Sequence, residues 1–182
     1  MILGSSSKSR RKLVENLGWD FEDPAIDEKS IRCKDPYMLP LLIAKAKAEA
    51  IIKKRKTTLV TADQIILFKG EVREKPLDEK QAREFLKSYS QNEVQVINAI
   101  VVTDLISGEQ NSNVDTATLK FGLISETDID AAIERGVCFS NAGGLDSELY
   151  TITEGDVTTV MGLNMRVLDK IIKKMNNRHG HI

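Results

Sequence analysis

Residues 57–68 read Thr-Thr-Leu-Val-Thr-Ala-Asp-Gln-Ile-Ile-Leu-Phe, β-branched and apolar almost throughout, which predicts a buried strand. One acid, Asp63, interrupts the run. Burying an ionised carboxylate without partners costs several kcal/mol. Asp63 should therefore face a cleft, a cation or a metal; the plainer alternative is a bulge or strand end open to water. Just before the run, Pro36 introduces an Ala- and Lys-rich stretch, residues 37–56, that predicts a long helix. Lys69-Gly70 then turns the chain.

The alternation of strand and helix signals continues along the chain. Residues 1–3 predict a short strand, residues 10–17 a helix closed by Gly18, and residues 19–26 an extended segment ending at Asp27-Glu28. Asp78 with Gln81 forms a capping-box pattern that opens a helix reaching residue 88. A strand over 93–105, a turn at Ser107-Gly108 and a returning strand over 113–121 follow. Ser125 with Asp128 caps a helix stopped by Gly136, and residues 149–153 predict another strand. Residues 165–174 form an amphipathic closing helix with Val167, Leu168, Ile171 and Ile172 on one face. With no repeat or linker, the pattern predicts an α/β fold. A chain of 182 residues is about one domain at roughly 150 residues each. We place that domain at 1–175 and a flexible Gly/Asn-rich tail at 176–182.

Composition excludes more chemistry than it admits. Only two histidines exist, His179 and His181, both in the expected tail. That removes Ser–His–Asp and Cys–His catalysis, HExxH zinc sites and imidazole shuttles. The two cysteines, Cys33 and Cys138, lie far apart without CxxC spacing and suit a reducing compartment. With 26 basic against 27 acidic residues the net charge is −1, which argues against nucleic-acid or polybasic membrane binding. No apolar run approaches 18 residues and no signal-peptide core follows Met1, so a cytoplasmic protein is expected. Carboxylates, hydroxyls, Lys, Arg and a hard metal remain.

Three places can carry that chemistry. In Ser5-Ser6-Ser7-Lys8-Ser9-Arg10-Arg11-Lys12, four cations crowd a helix start where the macrodipole is already positive. Each such placement costs roughly 0.3–1 kcal/mol, so a bound anion is one explanation and a solvated basic turn the other. Asp63 is the second place, with Lys75 able to return across a hairpin or to be plain surface lysine. The third is Asp27-Glu28, of which at most one faces a site. Lys47, mid-helix among alanines, the Ala142-Gly143-Gly144 loop and Glu148 are ambiguous in isolation.

Taken in order, Leu3-Gly4-Ser5-Ser6-Ser7-Lys8-Ser9-Arg10, Asp27-Glu28, Ala44-Lys45-Ala46-Lys47-Ala48, Ala62-Asp63-Gln64, Gly70 with Lys75-Pro76, Phe121 with Leu123-Ile124-Ser125, Ala142-Gly143-Gly144 and Glu154-Gly155-Asp156 with Val160-Met161-Gly162-Leu163 resemble the Maf family of nucleoside triphosphate pyrophosphatases, from residue 2 to about 175. The resemblance implies a mixed twisted β-sheet flanked by helices, with two lobes around a deep nucleotide-binding cleft. It implies hydrolysis of a nucleoside triphosphate at the α-phosphorus, giving monophosphate and diphosphate with Mg²⁺, or Mn²⁺ as the other candidate. Asp63 then matches the catalytic aspartate, Glu28 with Asp63 the metal carboxylates, and Ser5, Ser7, Arg10, Lys47 and Lys75 the phosphate-binding groups. A homodimer is also implied. Such an inventory suits phosphoryl chemistry, where catalysis is mostly positioning and charge stabilisation.

Ser9, Gln64 and Glu148 speak to the base. Asp63-Gln64 and Glu148 resemble the branch of the family acting on 7-methyl-GTP, where the dTTP/UTP branch has Asp-Thr and Gln. A carboxylate accepts from both N–H groups of guanine, whereas an amide suits the donor–acceptor edge of uracil. Ser9 departs from both branches: many members carry Arg there, and the 7-methyl-GTP branch often an aromatic residue. Asn164 stands where Pro is usual, and Gly122 where Arg is common. The competing readings are the same reaction on dTTP, UTP or CTP, a non-catalytic nucleotide-binding regulator of division or septation, and an interaction module without a nucleotide site.

Overall fold

The structure is a computed structural model that describes residues 1–51 and 56–179. It is α/β, as expected. A seven-stranded sheet is formed by β1 (Ile2–Gly4), β2 (Asp20–Glu22), β3 (Thr58–Phe68), β4 (Glu71–Arg73), β5 (Glu93–Asp104), β6 (Gln110–Phe121) and β7 (Tyr150–Glu154). The order is β2-β1-β3-β5-β6-β7, with β4 pairing β3. The sheet is mixed: β1 runs parallel to β2 and β3, whereas β3–β4 and β6–β7 are antiparallel. The helices are α1 (Lys8–Val14), α2 (Leu39–Ile51), α3 (Glu79–Tyr89), α4 (Glu126–Arg135), α5 (Val157–Val160) and α6 (Met165–His179). No helix among the described residues is long and apolar enough to cross a membrane.

The chain divides into two compact units, Met1–Asp63 with Asn98–Asp115 and Val157–Ile182, and Gln64–Ile97 with Thr116–Asp156. In the first unit the alternation of β3 explains its apolar run. Leu59 packs with Ile2, Ala44, Ala48, Ile51, Val101 and Leu105 on one face. Val60 and Ala62 pack on the other face with Leu3, Val14, Ile100, Val102 and Leu163. A strand buried on both faces loses the polar half of the usual pattern. Small residues bring α2 close to the sheet: Ala44 and Ala48 are fully buried, and Thr61 Oγ1 donates to the Ala44 carbonyl at 2.7 Å. Gly4 belongs to the same fit, since a Cβ there would lie 2.7 Å from Ile51 Cδ1 and 2.8 Å from Thr61 Cγ2.

The second unit is built on aromatic contacts. Phe68 and Tyr89 meet edge-on at 5.1 Å, Tyr89 stacks on Phe121 at 5.1 Å, and Phe121 meets Tyr150 at 5.6 Å. The Arg73 guanidinium lies over Phe68, Phe85 and Tyr89. Tyr89 donates its hydroxyl proton to the Gly143 carbonyl at 2.8 Å, and the Gly143 amide donates to the Glu74 carbonyl at 2.9 Å. Gly143 has φ +65, and a Cβ would lie 2.8–2.9 Å from three side-chain atoms of Ile66. Both backbone and space demand glycine. Gly143→Ala is expected to lower unfolding stability by about 1–3 kcal/mol in a urea titration. An unchanged midpoint would show that Ile66 yields freely.

Several boundaries differ from those expected. Helix α1 begins at Lys8, because the Ser7 hydroxyl accepts from the Arg10 amide and so caps it. The acidic pair at 27–28 enters a 3-10 turn, Glu28–Ser30, instead of ending an extended segment. Strand β6 begins at Gln110, since the Asp104 amide reaches the Glu109 carbonyl and lengthens the ladder through polar residues. The closing helix runs to His179 because Met175 still packs in the core, so the tail expected from residue 176 is helical to that point. Residues 52–55 of the expected long helix and 180–182 of the tail lie outside the described residues. Single turns such as α5 are too short to leave a periodic signal. The capping box of Ser125 and Asp128 is present as anticipated.

Candidate active site

The apolar stripe of α2 carries one lysine. Ala44, Lys47, Ala48 and Ile51 share the helix face turned to the sheet, and all four are buried. Along β3, Asp63 follows Leu59 and Thr61 at the strand period, on the face that α2 covers. The two periodicities bring lysine to aspartate. Lys47 Nζ lies 2.8 Å from Asp63 Oδ1 and 2.8 Å from Glu28 Oε1, and donates to the Ala62 carbonyl at 3.5 Å. The side chains of Lys47 and Asp63 are 5% and 8% exposed, that of Glu28 50%. Behind them, Asn98 on β5 is buried and donates its amide to the Asp63 carbonyl at 3.3 Å.

Arg10 is the second buried cation. Its Nε donates to the Gly162 carbonyl at 2.8 Å, and its Nη1 reaches Ser5 Oγ at 3.5 Å. Nη2 makes no hydrogen bond among the described residues. Ser5 is itself buried, accepting from the Ser7 amide at its hydroxyl and from Arg11 Nε at its carbonyl. Arg11 also lies over the Phe21 ring. Internal partners thus compensate two of the cations crowded at the start of α1. Among the described residues, Lys47 is occupied by carboxylates, and Arg10 is the buried cation with free N–H groups.

Burial pushes the Asp63 carboxyl above the ordinary aspartate value, opposed by the charges of Lys47 and Arg10. Burial likewise pulls the Arg10 guanidinium below its ordinary value, opposed by Asp63 and Glu28. Of the pair 27–28, Glu28 reaches Lys47 while Asp27 accepts from the Lys29 amide, so the two diverge as expected.

Three of the remaining residues belong to the second unit. Lys75 is exposed on the bend after β4, and Gln64 is partly buried beside Asp63 on β3. Glu148 is exposed but held: Oε2 pairs with Arg135 Nη1 at 3.0 Å, and its amide donates to Asp146 Oδ1 at 3.0 Å. Asp146 is buried and takes Arg135 Nε and Nη2 on Oδ2. Ser9 is exposed on α1, in the first unit. No local sequence pattern marks Asn98, Arg135 and Asp146, or Gly162 as the acceptor of Arg10, because their importance lies in tertiary contacts.

Chemically, the first unit holds a carboxylate of raised pKa that pairs with one buried cation and feels the charge of a second, with a further carboxylate half open to water. Among the described residues no group of three or more His, Cys, Asp and Glu could hold a metal. The second oxygens of Glu28 and Asp63 make no hydrogen bond among the described residues. Two hard oxygen donors fit Mg²⁺, which keeps several waters and completes its shell with substrate phosphates.

The family described as Maf-like protein matches residues 1–175. A 7-methyl-GTP pyrophosphatase of Dictyostelium discoideum is 36% identical over 191 residues, covering 97% of this chain and 97% of that protein. A dTTP/UTP pyrophosphatase of Halalkalibacterium halodurans is 29% identical over 171 residues, covering 90% and 89%. Among solved structures, a nucleoside-triphosphatase / dITP/XTP pyrophosphatase of Mycobacterium abscessus matches at a TM-score of 0.43 and 11% identity, covering 100% of this chain and 96% of that one. That last likeness is too loose to bear on the reaction.

Proposed function

The chain belongs to the Maf family, and from that membership we propose that it hydrolyses a nucleoside triphosphate to the monophosphate and diphosphate. The observation that carries this reading is the buried Asp63 paired with Lys47 and under the charge of Arg10, with Glu28 on the same lysine. Asp63 takes the proton of the water attacking the α-phosphorus; a raised pKa moves it toward the range in which a general base is effective. The free N–H groups of Arg10 bind phosphoryl oxygens, where charge builds as diphosphate leaves. Lys47 can join them only by releasing an acceptor, and the half-exposed Glu28 is the one most easily released. Ser5 and Ser7 shape the loop that carries Arg10. Glu28 and Asp63 would hold Mg²⁺, which when bound neutralises charge on the phosphates. Lys75 keeps the phosphate role, and Ser9 and Gln64 the base-side roles, that the family resemblance implies.

For the base, we favour 7-methyl-GTP. Asp63-Gln64 and Glu148 support this, as does the greater identity to the Dictyostelium protein. The 7-methylguanine ring is cationic and its N1–H and amine both donate, so a carboxylate suits it twice over. Arg135 and Asp146 hold Glu148 from two sides, which reduces the ordering cost of using it. A homodimer follows from the same resemblance, and light scattering decides the oligomeric state; the cytoplasmic location rests on the sequence reading alone.

The test is diphosphate release with Mg²⁺ from a panel of canonical and methylated triphosphates. Turnover of 7-methyl-GTP above the others is expected. Preference for dTTP or UTP would move the chain to the other branch, and no turnover on any would leave a binding protein. Glu148→Gln is expected to lower the preference for 7-methyl-GTP over UTP by about tenfold or more, the value of a charge-assisted hydrogen bond. Equal loss on every base would remove Glu148 from base reading.

A further inference from the structure

We propose that Asp115 is a positioning residue for Arg10, acting through the Gly162 carbonyl; this rests on reading Arg10 as the phosphate-binding cation. The short hydrogen bond of the buried Arg10 guanidinium is Nε to Gly162 O at 2.8 Å, whereas its contact with Ser5 is 3.5 Å. That carbonyl therefore sets the plane of the guanidinium and the direction of its free Nη2. Gly162 lies in the turn between α5 and α6, at φ +95. The turn closes on itself through Gly162 N to Thr159 O and Leu163 N to Thr158 O, both at 2.9 Å.

Its position is fixed from β6. Asp115 Oδ2 accepts from the Thr159 hydroxyl and from Asn164 Nδ2 at 3.0 Å, and Asn164 Nδ2 also reaches Thr159 Oγ1 at 2.9 Å. One carboxylate oxygen thus grips the turn on either side of Gly162. Thr159 and Asn164 are buried, so water does not replace these bonds. Helix capping does not account for Asp115. Asn164 Oδ1 already caps α6 by accepting from the Arg166 and Val167 amides at 3.1 and 3.0 Å. Moreover Asp115 Oδ1 is buried without a hydrogen-bond partner among the described residues. A carboxylate kept at that cost, in a network ending on a buried cation, is the kind of local conflict that function explains.

The experiment compares Asp115→Ala, Asp115→Asn, Arg10→Gln and the double variant Arg10→Gln/Asp115→Ala in the full chain. It reads calorimetric affinity for inorganic tripolyphosphate together with KM and kcat for the triphosphate. Asp115→Ala is expected to weaken tripolyphosphate about tenfold and to raise KM more than it lowers kcat. Asp115→Asn should recover most of the affinity, because one amide oxygen still accepts both bonds. In the Arg10→Gln background, Asp115→Ala should change nothing further. Equal loss in both backgrounds, or no loss in the first, overturns the proposal. If Asp115→Ala does not fold, Thr159→Val removes one of the two donors and is read the same way. Arg10-dependent tripolyphosphate binding without turnover of any triphosphate would sink the enzymatic reading and leave the positioning role standing. If Arg10→Gln itself leaves binding unchanged, the role falls with its premise.

Discussion

Asp63→Asn is expected to reduce kcat for diphosphate release by roughly 10²–10⁴-fold, the usual contribution of a positioned general base. Volume and strand register are preserved, and Lys47 keeps Glu28 and the Ala62 carbonyl as acceptors. Ground-state binding should survive or tighten, because a negative charge leaves a site that receives a polyanion. A collapsed kcat with an equal or lower KM is the signature, measured by varying the triphosphate up to saturation. Retained turnover in Asp63→Asn would take the proton-accepting role away from this residue. A parallel rise in KM would instead indicate a damaged binding site. Thermal melting run alongside separates both from unfolding.

The expected outcome depends on a position whose importance the sequence alone makes visible. Asp63 stood out because one acid in a buried strand must be compensated. The nature of the compensation was not visible. Lys47 is one lysine in an Ala/Lys-rich helix, and nothing local separates it from Lys45. Only when the stripe Ala44, Lys47, Ala48, Ile51 is laid on β3 does Lys47 become the buried one and Lys45 the partly exposed one. Helix caps were legible for the opposite reason: the Ser125–Asp128 exchange is complete within one turn and needs no partner from elsewhere. Arg10 was legible through a broken electrostatic rule, but the structure divides the cause. Arg11 is satisfied by Ser5 and Phe21, so part of that crowding has an internal explanation. The Asp115–Thr159–Asn164 network lies beyond sequence reading altogether, since Asp115 on β6 precedes Thr159 by 44 residues and Asn164 by 49.

Lys47→Met should be the most destabilising of these substitutions, and its effect should grow with pH. Removing one partner of a buried pair leaves an uncompensated charge, at a cost of about 3–5 kcal/mol. The part owed to the half-exposed Glu28 is small because solvent screens it. Burial already holds the Asp63 carboxyl above its ordinary value while Lys47 pulls it down. A carboxyl raised in the folded state binds more protons there than in the unfolded chain. Its favourable contribution is complete below the ordinary value of 3.8 and is lost as pH rises through the folded value. Without Lys47 the folded value climbs further, so the loss is larger and continues to higher pH. In metal-free protein, the melting temperature of Lys47→Met should fall furthest below that of the parent at neutral pH and approach it near pH 4. A deficit independent of pH would assign the damage to packing of the methionine instead. The double variant Lys47→Met/Asp63→Asn removes both charges of this pair, leaves Arg10 with Glu28 and the Gly162 carbonyl, and should recover most of the stability with none of the turnover. Such a recovery would mean that the buried ion pair is retained for the reaction, since the fold does as well without it.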